Sequence, residues 1–247
     1  MAFLGLNGFG RIGKCIFLLL IQHDNLQINA INAPDFDISK LESYLKHDSV
    51  HHYNKDFQIK IIDNDSFLLN GRMIHIFRDR KAENLPWKQY GIDLVIDASG
   101  CYLTQEKARQ HDVEKLIMSA PAKDDTLLFV YGANHEKYRG ENIVSNASCT
   151  TNCIVPVLRH IEEHYNIKNA HFTTIHSSTA SQKVVDTAHS KSRTDRSIFN
   201  NMIPHTTGAS SSIYKVLPSL KNKIVGTSVR IPTNNVSLVD LNIELTQ

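Results

Sequence analysis

Asn7-Gly8-Phe9-Gly10-Arg11-Ile12-Gly13 follows the apolar run Ala2 to Leu6 and opens the segment Arg11 to His23, whose apolar residues recur as on a helix. Glycine at 8, 10 and 13 gives the G-x-G-x-x-G arrangement. The first glycine permits a tight turn, the second lets a pyrophosphate approach the backbone, and the third lets the helix pack against the strand. The helix start adds free N–H groups and the positive end of its dipole. An ordinary strand-to-helix turn is the competing reading of such a motif. The position between a first strand and a first helix favours a dinucleotide site.

Outward from this turn, Leu26 to Asn32, Asp93 to Ala98, Lys115 to Ser119 and Leu127 to Tyr131 read as buried strands, apolar almost throughout. Such strands, separated by helix-compatible segments, predict a parallel sheet covered on both faces. Asp63-Asn64-Asp65 and Asn70-Gly71 bracket the short run Ser66 to Leu69, which predicts a small antiparallel hairpin inserted in the α/β domain. Beyond residue 148 the pattern changes. Ile154 to Tyr165 reads as a helix that Pro156 starts or kinks, and Ala170 to His176 as a strand. Residues 177–204 have no clear period and read as a long functional loop. Val239, Leu241, Ile243 and Leu245 alternate with polar residues, the mark of a half-buried antiparallel strand. The expected architecture is α/β: a Rossmann-type doubly wound parallel sheet over residues 1–148, then an α+β domain with an antiparallel or mixed sheet over 149–247.

Composition narrows the function. A net charge of +2 over 247 residues gives no field for nucleic acid or membrane. The N-terminus has no secretory pattern, and Phe17 to Ile21 is too short to span a bilayer. The cysteines Cys15, Cys101, Cys149 and Cys153 are therefore expected as reduced thiols in the cytoplasm. The C-x3-C spacing of the last two is neither a zinc nor a thioredoxin pattern, and no metal site is expected.

Chemistry concentrates in Ser145-Asn146-Ala147-Ser148-Cys149-Thr150-Thr151-Asn152-Cys153. A cysteine among small hydroxyl residues, followed by a helix, sits where the helix dipole favours its thiolate. His176, ending the next strand, is a candidate base. Cys15, Cys101 and Cys153 read as small buried hydrophobes, and His47, His51, His52, His160 and His164 as structural or surface histidines.

These stretches, with Arg230-Ile231-Pro232-Thr233 and Asn235-Val236-Ser237-Leu238-Val239-Asp240-Leu241, resemble in order the motifs of the phosphorylating glyceraldehyde-3-phosphate dehydrogenase family. Asp97-Ala98-Ser99-Gly100, Ser119-Ala120-Pro121, Asn134-His135-Glu136-Lys137-Tyr138 and Thr206-Thr207-Gly208-Ala209 extend the likeness along the whole chain. The resemblance implies a Cys149 thiohemiacetal and thioester, with His176 as base. It implies an attacking-phosphate site at Ser148, Thr150, Thr207 and Gly208, and substrate-phosphate contacts from Thr179, Arg193 and Arg230. Hydroxyls, a backbone N–H and guanidinium groups suit oxyanions. It implies NAD held by Asn7, Gly8, Gly10, Arg11, Ile12, Gly13, Arg80, Ser99, Gly100 and Ser119. The implied partners are a phosphorylated aldehyde, inorganic phosphate and three further copies in a tetramer.

Departures qualify this. The acid that usually ends the second strand is Ala33, so that Asp35 substitutes for it, or a phosphorylated ribose (NADP) is accepted, or affinity is low. Ser192 stands where an aromatic usually precedes Arg193, in a loop shortened toward the erythrose-4-phosphate dehydrogenase pattern. Family members also continue past Leu245, so the sequence reads as C-terminally truncated, with an unpaired sheet edge and low stability expected. The alternatives are erythrose-4-phosphate dehydrogenase and a truncated, non-catalytic pseudo-enzyme that binds family subunits.

Overall fold

The computed structural model describes residues 2–51, 56–188 and 193–246; His52 and Ser192 lie outside them. Contacts divide the chain into two units, Met1–Leu128 with Tyr138–Ala147, and Phe129–Lys137 with Ser148–Gln247.

The first unit is built on β1 (Ala2–Asn7), α1 (Arg11–Leu20), β2 (Leu26–Asn32), α2 (Leu41–Lys46), β3 (Ile59–Asp63), β4 (Ser66–Leu69), β5 (Arg72–Phe77), β6 (Leu94–Asp97), α3 (Gln105–Ala108), β7 (Lys115–Met118) and β8 (Ile143–Ser145). The strands form one sheet in the order β3-β4-β5-β2-β1-β6-β7-β8. Strands β5 to β8 in this order run parallel, while β3, β4 and β5 pair antiparallel. The expected hairpin is thus a three-stranded extension of the main sheet. Each face is covered. Phe17, Leu18, Leu41 and Leu45 pack with Leu4 and Leu6 in one cluster, and Trp87, Ile92 and Met118 pack with Val95 in another. Trp87 lies so close over β1 that a Cβ on Gly5 would be 2.7 Å from its ring.

The expected strand Leu127 to Tyr131 does not form; among the described residues it makes only the bridge Leu128↔Ser145. Its backbone polar groups find turn partners instead: Val130 N donates to Asn134 Oδ1, and Ala133 N and Asn134 N donate to Val130 O.

The second unit contains α4 (Cys149–Tyr165), β9 (Ile167–His176), β10 (Ile203–His205), α5 (Ala209–Val216), β11 (Ile224–Arg230) and β12 (Leu238–Leu245). Its mixed sheet runs β10-β11-β9-β12, with β9 and β11 parallel and the outer pairs antiparallel. Helix α4 starts five residues earlier than Ile154, and Pro156 lies inside it. An interior proline costs about 3 kcal/mol; here Ser148 caps the helix and Ile154, Val155 and Leu158 are buried beside it. Val239, Leu241 and Ile243 are half-buried as their alternation predicts, but a register irregularity after Glu244 leaves Leu245 exposed. Gly226 stands opposite Phe172, where a Cβ would come within 2.0 Å of the ring. The phenyl group therefore occupies the place of a side chain and fixes how β11 meets β9. No helix among the described residues is long and apolar enough to cross a membrane.

Candidate active site

The chain turns through a left-handed residue, Ala147 (φ 58°), just before Ser148, the residue that caps α4. A non-glycine residue held there costs of the order of 1–3 kcal/mol, which marks the turn as imposed by its surroundings. Ser148 caps the helix, its Oγ accepting from Thr151 N at 3.1 Å. Such a cap contributes about 1 kcal/mol and sets Cys149 on the first turn, where the dipole favours an anion.

Cys149 is exposed, and its Sγ lies 3.2 Å from Nε2 of His176, the last residue of β9. The bond to His176 holds the thiol below its ordinary value, against the upward push of burial. The same bond raises His176, against the opposing effects of burial and the nearby Arg230. The pair is therefore suited to hold a thiolate beside an imidazolium. Arg230, last in β11, stands directly opposite His176 in the parallel register. Its Nη1 lies 2.6 Å from His176 Nδ1 and donates to Ser177 O at 3.0 Å. Burial lowers its pKa from the ordinary arginine value.

The remaining anion candidates surround helix starts and loops. Thr150 is buried in the first turn of α4. Gly208 caps α5 without a side chain, and Thr207 Oγ1 accepts from Ala209 N at 3.1 Å. Thr179 is held by Gln182, whose Oε1 accepts from its N and its Oγ1 at 2.9 and 3.0 Å. Gln182, buried and with its Nε2 unpartnered among the described residues, lies in an aperiodic loop and carries no sequence signal. Arg193 is exposed.

In the first unit, Gly8, Gly10, Arg11, Ile12, Gly13, Ser99, Gly100 and Ser119 lie at or just beyond the carboxyl ends of β1, β6 and β7. A Cβ on Gly8 would meet Ser99 N at 2.8 Å and one on Gly13 would meet Gly8 O at 2.0 Å, whereas one on Gly10 would meet nothing within 4 Å among the described residues. Among the described residues, no side chain caps helix α1. An open backbone cradle with uncapped N–H groups fits a pyrophosphate. Arg11 departs from a simple ligand reading: its Nη1 binds Asp48 at 2.8 Å, and Asp48 also holds the buried Lys14 at 3.1 Å.

Asn7 departs further, because its buried side chain is fully engaged inward. Its Nδ2 donates to Asp97 Oδ1 at 2.7 Å and its Oδ1 accepts from Asn32 Nδ2 at 2.8 Å. Asn32 Nδ2 also donates to Asp79 O at 2.9 Å, and Asp97 Oδ1 accepts from Ser99 Oγ at 2.7 Å. These polar residues each end an apolar strand, which was the available signal for Asn32 and Asp97. Burial pushes the Asp97 carboxyl up, partly offset by these donors. Beyond Ala33, Arg80 Nη2 holds both carboxylate oxygens of Asp35, at 2.6 and 2.7 Å.

Residues 2–105 match the family described as glyceraldehyde 3-phosphate dehydrogenase, NAD binding domain, and residues 148–247 its C-terminal domain. The glyceraldehyde-3-phosphate dehydrogenase of Buchnera aphidicola subsp. Schizaphis graminum is 44% identical over 245 residues, covering 97% of this chain and 73% of the relative. Glyceraldehyde-3-phosphate dehydrogenase A of Escherichia coli K12 and the enzyme of Salmonella typhimurium LT2 are each 41% identical over 246 residues, covering 98% of this chain and 73% of theirs. With both domains matched and a thiol–imidazole pair in the second, the chain belongs to the glyceraldehyde-3-phosphate dehydrogenase family and is an NAD-dependent dehydrogenase.

Proposed function

We propose that this chain converts glyceraldehyde 3-phosphate to 1,3-bisphosphoglycerate, with residues 1–148 holding the cofactor and 149–247 carrying the chemistry. The observation that carries this reading is the Cys149–His176 contact of 3.2 Å at the start of α4. Cys149 thiolate adds to the aldehyde carbon, and His176 Nε2–H supports the oxyanion of the thiohemiacetal. NAD, when bound, serves as the hydride acceptor for this carbon. The resulting Cys149 thioester is cleaved by inorganic phosphate, which forms the acyl phosphate and returns the thiolate. Ser148, Thr150, Thr207 and Gly208 hold the attacking phosphate, while Thr179, Arg193 and Arg230 hold that of the substrate.

NAD is selected over NADP by Asp35, which takes the place of the acid missing at Ala33 and is held by Arg80. The unpaired cysteines suit a reducing, cytoplasmic setting. Exposed Val184, Val185, Phe199 and Met202 suit assembly into a homotetramer, which light scattering would measure. The direct test is NADH formation from glyceraldehyde 3-phosphate, NAD and phosphate. Turnover that requires phosphate and vanishes in Cys149→Ser is expected; no turnover, or turnover indifferent to that substitution, overturns the reading.

A further inference from the structure

The contacts of His176 place two incompatible demands on one atom. Nδ1 lies 2.7 Å from Ser177 O, which can only accept, and 2.6 Å from Arg230 Nη1, which can only donate. With a proton on Nδ1 the ring satisfies the carbonyl; without one it satisfies the guanidinium. Both cannot hold at once. Arg230 Nη1 also donates to Ser177 O at 3.0 Å, so the carbonyl keeps a partner in either case. The opposite ring nitrogen faces Cys149 Sγ. The state of Nδ1 therefore decides what Cys149 meets.

We infer that Arg230 is a positioning residue that selects the protonation state of His176, and that an oxyanion bound to Arg230 resets it. With the guanidinium on Nδ1, the ring is neutral and carries its proton on Nε2. When an anion draws the guanidinium away, Nδ1 takes a proton and turns to Ser177 O, and the ring faces the sulfur as an imidazolium. Binding of a phosphate and activation of the thiol then become one event. This rests on the proposed active site and adds a coupling to it.

The geometry supports the coupling in three further ways. His176 and Arg230 are opposed residues at the ends of neighbouring parallel strands, so their side chains share a face. Arg230 Nε is buried with no partner among the described residues, a donor that gains an acceptor when the side chain moves to an oxyanion. Among the described residues, the charged and titratable groups that act on the ring are Cys149 from α4 and Arg230 from β11, while β12 brings uncharged Leu238 against Ile175.

The test is the pH profile of Cys149 carbamidomethylation by iodoacetamide on the full chain. It is recorded in sulfate, a dianion throughout the range, and in chloride at equal ionic strength. Sulfate is expected to move the wild-type profile downward by about one pH unit, the scale of placing a charge, here the imidazolium, beside the sulfur. Arg230→Gln is expected to be displaced already and to ignore sulfate, while Arg230→Lys keeps a response. A wild-type profile unmoved by sulfate overturns the inference, even if Arg230→Gln does not fold. An equal sulfate shift in Arg230→Gln also overturns it. If Cys149 reacts no faster than Cys15, Cys101 or Cys153 at any pH, the nucleophile reading itself fails.

Discussion

Cys149 Sγ and His176 Nε2 meet at 3.2 Å although 27 residues separate them in the chain. Replacing the imidazole by an amide keeps the size but removes the proton acceptor. His176→Asn is expected to lower turnover by about 10²–10⁴-fold. It should also move the alkylation profile of Cys149 up toward the ordinary cysteine range, because the largest influence lowering that thiol is lost. The signs of the stability linkage are opposite for the two partners. The depressed thiol stabilises the fold above its ordinary range and loses this as pH falls through its depressed value. The raised imidazole stabilises below its ordinary range and loses this as pH rises through its raised value.

Gly10 and Gly13 separate ligand approach from folding. Gly10→Ala meets nothing within 4 Å, so urea unfolding should match wild type within about 0.5 kcal/mol. NAD binding, by calorimetry, should weaken about tenfold, or about 1.4 kcal/mol, because the methyl enters the cradle. Gly13→Ala puts its Cβ 2.0 Å from Gly8 O and should destabilise by about 1–3 kcal/mol.

Asp35→Ala removes the carboxylate held by Arg80. The freed guanidinium favours a 2′-phosphate. The ratio of NAD to NADP affinity should fall by about tenfold, or about 1.4 kcal/mol; equal loss for both cofactors would count against Asp35 as the selecting acid.

Asp48 is buried with Lys14. Burial alone would raise its carboxyl, but the backbone N–H groups of His51 and Val50 and the side chains of Lys14 and Arg11 hold it far below the carboxylate range. Asp48→Asn leaves the ammonium without its counterion and should cost about 3–5 kcal/mol at neutral pH. A depressed carboxyl stabilises above its ordinary value and loses this as pH falls through the depressed one. The gap between wild type and variant in urea should therefore close in strong acid.

Legibility followed periodicity. The strand, turn and helix from Ala2 onward were readable because the apolar runs and glycine spacing are local. Leu127 to Tyr131 looked like a strand by apolarity alone, yet the Asn134 side chain captured its backbone in a turn. Helix α5 and strands β10 and β11 went unread because their short segments are mixed in character. Cys149 and His176 were legible as chemistry. Their link to Arg230 was not, since it depends on how β9 and β11 align, which a phenyl ring over Gly226 decides.

The run of side chains from Asp97 through Asn7 and Asn32 to the backbone at Asp79 bears on the thermodynamics of ligand capture. It joins the ends of three neighbouring strands and the segment after a fourth by bonds already made before any cofactor arrives. Little disorder is then left in these segments for binding to remove. The entropic penalty of NAD association should be small for these loops. Loosening one link, as in Asn32→Ala, would show in calorimetry as a less favourable entropy of binding even where the cofactor's own contacts are intact.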